Sequence, residues 1–142
     1  MGDILFGRKG NNMKNEWQLK IDLMPDSLDK IEILIKKELP SEFKEFLSMA
    51  NASCPKNDKF EVDSELYVLN NILNFNDDSE EGFNDIYIRL KNSFKIYIPF
   101  ARDGFGNYLI LDIDTKKVFL FNHENEQIIF VAIFEDFINS LF

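Results

Sequence analysis

The sequence predicts one α+β domain, and three observations carry that reading. Apolar residues recur at helical spacing through the first part of the chain and again at its end. Between those stretches lie four aromatic and β-branched runs with the character of strands. Loops of four to six polar residues separate the runs. Such loops join antiparallel neighbours, because a parallel crossover needs a dozen residues or more. Composition agrees, since 142 residues with 45% hydrophobic and 29% charged suit one compact folded unit and exclude a wholly disordered chain. The one cysteine, Cys54, excludes an intramolecular disulfide.

The elements follow in order. Residues 9–15 (KGNNMKN) are polar, so residues 1–15 read as a flexible leader and 16–142 as the domain. Trp17, Leu19, Ile21 and Leu23 alternate, which predicts a short strand ending at Pro25. Asp26 or Ser27 can cap a helix carrying Leu28, Ile31, Leu34 and Ile35, closed at Leu39-Pro40. Phe43, Phe46, Leu47 and Ala50 form the stripe of a second helix, and residues 51–58 (NASCPKND) a loop. Short strands are expected at 60–62 and 66–69, and a third helix from Phe83, Ile86, Tyr87 and Leu90. The strand runs are 96–100, 108–113, 118–121 and 128–132, parted by RDGFGN (102–107), DTKK (114–117) and NHENEQ (122–127). Phe134, Phe137, Ile138 and Leu141 make a closing helix. The 15 phenylalanines fall largely on these stripes, which predicts an aromatic core.

His123, the one histidine, and Cys54 lie far apart with no local signature of a nucleophile pair. Two such residues are too few for a structural zinc site. The stretch DDSEEGFND (77–85) places Gly82 like the glycine of a calcium loop, but Ile88 stands where the bidentate glutamate belongs. It reads instead as an acidic loop that starts a helix, where negative charge suits the dipole. Gly104 and Gly106 begin a dinucleotide fingerprint that fails at Leu109, so they read as turn glycines. Arg102 and Asp103 are expected to pair or to fix that turn. No catalytic set, cofactor cradle or metal cluster emerges, and an enzyme is not expected. The net charge of −9 disfavours nucleic acid and anionic membrane. The longest apolar run, residues 128–134, is far short of a membrane span, and Phe6 breaks the myristoylation pattern. With no signal-peptide core, a soluble cytoplasmic protein is expected.

Three segments, in order, resemble the SUKH superfamily, which includes the yeast cell-wall-assembly regulator and many bacterial immunity proteins. Residues 39–47 (LPSEFKEFL) are similar to its Leu-Pro, aromatic, Phe-Leu helix start. Residues 98–112 (IPFARDGFGNYLILD) are similar to its strand, Asp-Gly-x-Gly-Asn turn and strand. Residues 118–142 are similar to its strand, polar turn with His123, strand and Phe-x-x-Phe-Ile helix. One departure is Asn51-Ala52-Ser53, where the family often has Asn-Gly-Gly.

The resemblance implies a central antiparallel sheet of about four to six strands flanked by helices, and no catalysis. It further implies an antitoxin that binds and neutralises a cognate polymorphic toxin, a basic nuclease domain being the expected partner. The alternative is a scaffold or regulatory module of the same fold without a toxin. The protein is expected as a monomer or weak dimer. Residues 58–89 hold nine acids against two bases, and acidic surface suits a cationic partner. The expected partner face is therefore Glu61, Asp63, Glu65, Asp77, Asp78, Glu80, Glu81 and Asp85.

Overall fold

The computed structural model describes residues 15–76 and 80–142. The expected leader lies almost wholly outside the described residues, as do Asp77 and Asp78. Among the described residues the order is β1 (Trp17–Gln18), α1 (Ser27–Ile35), α2 (Ser41–Ala50), β2 (Cys54–Pro55), β3 (Lys59–Val62), β4 (Glu65–Ile72), α3 (Phe83–Phe94), β5 (Ile98–Asp103), β6 (Tyr108–Leu111), β7 (Lys117–Phe121), β8 (Ile128–Ile133) and α4 (Phe134–Ser140). Strands β3 to β8 form a six-stranded antiparallel meander, and β1 pairs with β2. The α+β class and the antiparallel connections therefore hold.

Helices cover both faces of the sheet. On one face, the α2 ring of Phe43 meets Phe100 of β5 at 6.0 Å and Phe134 of α4 at 5.3 Å, both edge-on. Phe137 of α4 adds edge contacts to Phe60 at 5.2 Å and to Phe100 at 6.2 Å. On the other face, Phe94 of α3 packs on Tyr108 and Phe121 at 5.7 and 5.0 Å. Phe75, just past β4, joins the layers, 5.9 Å from Phe43 and 4.8 Å from Phe83. Because both faces are covered, every residue of β6 is buried, and its sequence YLIL is continuously apolar. Lys59 and Phe142 exchange two backbone hydrogen bonds, so the chain end beyond α4 ties onto the outer edge of β3.

Local departures from expectation have identifiable causes. The alternation from Trp17 to Leu23 yields only a two-residue strand, because Leu19 turns to a φ of 62° and is 83% exposed. Asp26 makes no side-chain cap on α1, and the Ser27 hydroxyl instead donates to Asn76 Oδ1 at 2.7 Å. Helix α1 stops before Leu39-Pro40, at Lys36, whose left-handed φ of 61° ends it. Strand β5 begins two residues later than its apolar run and extends through Asp103.

The loop after α2 turns without the Gly-Gly of the resemblance. Ala52 accepts a φ of 63°, the region that favours glycine. Asn51, buried, holds the loop in place: its side-chain oxygen accepts from Phe75 N–H at 2.7 Å, and its amide donates to the Ile21 carbonyl at 2.9 Å.

Candidate partner-binding site

The β3–β4, β5–β6 and β7–β8 turns all lie at one end of the sheet, as the registers Val62↔Glu65, Arg102↔Tyr108 and Phe121↔Ile128 require. The β3–β4 hairpin turns on Asp63 and Ser64, with φ of 51° and 69°, the two left-handed residues of a type I′ turn. Glu65 follows and accepts a hydrogen bond from the Tyr67 hydroxyl at 3.3 Å. Burial first, then Glu65 and the charges of Asp103 and Asp63, hold the Tyr67 phenol above its usual range.

Phe105, at the tip of the β5–β6 turn, stands edge-on to Tyr67 at 6.0 Å and is 61% exposed. Its platform is held by hydrogen bonds. Asp103 is 3% exposed, and its oxygens accept from Phe105 N–H at 2.9 Å, Asn107 N–H at 2.8 Å and the Asn107 amide at 2.9 Å. Three donors satisfy a buried carboxylate without a counter-ion. The Asn107 Oδ1 in turn accepts from His123 N–H at 3.1 Å and from His123 Nδ1 at 2.8 Å, which places the imidazole proton on Nδ1. Gly106 takes a φ of 89°, and the His123 ring lies 3.3 Å from where a Cβ would stand. Asp103, Asn107 and His123 thus brace two neighbouring turns and hold Phe105 outward.

The acids expected at the partner face fall into two groups. Asp63 and Glu65 stand at the hairpin tip beside Tyr67. Glu61 pairs in register with Leu66, on the face opposite Phe60 and Tyr67. Glu81 lies 3.6 Å from Arg102 and 3.9 Å from Arg89, and its N–H donates to Asp85 Oδ2 at 3.3 Å. Glu80 is exposed on the approach to α3. Arg102 therefore pairs with Glu81, while Asp103 fixes the turn.

Sequence reasoning passed over Phe105, Tyr67 and the exposed Glu124 and Glu126 of the β7–β8 turn. The signal for Phe105 was present. An aromatic residue between two turn glycines has no stripe on which to bury.

Cys54 and His123 are held in different surroundings, Cys54 opposite Gln18 and His123 against Gly106 and Asn107. Among the described residues no three His, Cys, Asp or Glu side chains are grouped to hold a metal ion. No helix among them is long and apolar enough to cross a membrane.

Residues 25–138 match the SUKH family described as SMI1-KNR4 cell-wall. The chain belongs to the SUKH family. No curated protein matches it. The SUKH match spans α1 to α4 and so contains both the braced turns and the hairpin tip.

Proposed function

We propose that this SUKH protein is a non-catalytic immunity protein, which binds and neutralises a bacterial toxin domain of basic surface, a nuclease in the simplest case. One observation carries the reading: Phe105, largely exposed on a hydrogen-bonded turn, stands edge-on to Tyr67, whose hydroxyl donates to the Glu65 carboxylate, at the sheet end where the Asp63 hairpin also turns. Exposed aromatics at the centre of a patch supply anchoring energy, and the surrounding acids speed encounter with a cationic protein. The net charge of −9 adds long-range attraction to such a partner. Work at this site needs no bond made or broken.

The test is co-expression with a toxin domain encoded beside this gene, the partner that this reading requires. Wild type is expected to restore growth and to co-purify with the toxin. Phe105→Ala combined with Asp63→Lys is expected to lose both while remaining folded. Full protection by that variant would refute the proposed face. The cell-wall description of the matched family favours a second reading, a regulatory binding module. A gene with no toxin neighbour, whose loss alters cell-wall growth, would support that reading.

A further inference from the structure

A second surface lies on the helical layer, away from the turns. Helices α2 and α4, with Trp17 of β1 at one side, enclose a groove of about 330 Å³. Trp17, Phe46, Met49, Phe134 and Ile138 supply apolar walls, and Met49 is 51% exposed. The Trp17 ring stands edge-on to Phe46 at 4.9 Å.

Charge says what kind of occupant suits the groove. Glu42, Glu45 and Glu135 line it with no basic side chain among the lining residues. Lys116, 3.0 Å from Glu42, neutralises only that one, while Glu45 and Glu135 have no ion partner among the described residues.

We infer that the groove docks a cationic amphipathic segment of a partner protein, which inserts an apolar side chain between Phe46 and Ile138 and offers lysine or arginine to Glu45 and Glu135. This surface is separate from the Phe105 face, so the inference stands whether or not the partner there is a toxin. An amphipathic helix or strand with one basic edge has the required chemistry.

Trp17, the chain's one tryptophan, is a built-in reporter. The full chain would be titrated with a tryptophan-free peptide of leucine, phenylalanine and lysine in amphipathic order, and with its glutamate-for-lysine analogue. The cationic peptide is expected to shift Trp17 emission and to bind in a salt-dependent manner, and the anionic one to do neither. Glu45→Lys with Glu135→Lys, both at exposed positions, is expected to weaken the response at least tenfold, and Phe105→Ala to leave it unchanged. Equal responses to the two peptides, no loss in the charge-reversed variant, or loss in Phe105→Ala would each overturn the inference.

Discussion

Phe100 and Phe105 stand five residues apart on one hairpin and serve opposite ends. Phe100 is fully buried, with edge contacts to Phe43, Phe134 and Phe137 from both helices of one face. Phe105 touches one ring and leaves most of its surface to water. The first is held by packing, in which each ring fills the space left by the others. The second is held by the backbone beneath it, through the Asp103 carboxylate and its three donors. One region of this molecule converts aromatic surface into stability. The other keeps aromatic surface available, and a polar brace takes over the task of holding shape.

That contrast can be broken at either region. The largest effect is expected from Phe100→Ala, which opens a cavity among three rings and should cost about 3–5 kcal/mol in denaturant unfolding. Asp103→Ala should cost about 1–3 kcal/mol, because the N–H groups of residues 105 and 107 lose their buried acceptor. It should also speed amide exchange in both the 104–107 and 122–127 turns, since His123 leans on Asn107. Phe105→Ala, by contrast, should change stability by no more than about 0.5 kcal/mol, as surface substitutions do. A large loss of stability there would make Phe105 a packing residue and erase the contrast.

Two smaller effects sharpen the account of the scaffold. Ala52→Gly should stabilise the protein by up to about 1 kcal/mol, because the left-handed φ of 63° carries a cost for a side chain that glycine escapes. Glu32 links α1 to α2 through Lys44 at 2.8 Å and the Leu39 N–H at 2.8 Å. Burial pushes the Glu32 carboxyl up, but those two partners outweigh it and hold the group below the usual carboxylate range. A lowered value in the fold means that the contribution is complete above the unfolded value and fades as pH falls below about 4. Glu32→Gln should flatten that part of the acid unfolding profile, measured by circular dichroism against pH.

Much of the scaffold was legible because it obeys periodicity. The stripe of Phe43, Phe46, Leu47 and Ala50 is the buried face of α2, residue for residue. The four strand runs became β5 to β8, since continuous apolar runs bounded by short polar loops leave little choice of pairing. The caps were less legible. Helix α1 ends on a lysine in the left-handed region, and Ser27 spends its hydroxyl on Asn76, 49 residues away. The second choice is not local in sequence. The same holds for the candidate site. An acidic stretch is visible in a sequence, but the order of the turns around the sheet decides which acids share a surface. The fold sets Phe105 against Tyr67, which bonds Glu65, whereas Glu81 is drawn off toward Arg102 and Arg89.

The most direct test of the proposed binding is calorimetric titration of the chain with a basic toxin domain encoded beside its gene, the partner that the proposal requires, repeated at several salt concentrations. The claim predicts affinity that falls steeply with added salt, and at least tenfold weaker binding by the Asp63→Lys, Glu65→Lys double variant. An affinity indifferent both to salt and to that charge reversal would contradict it.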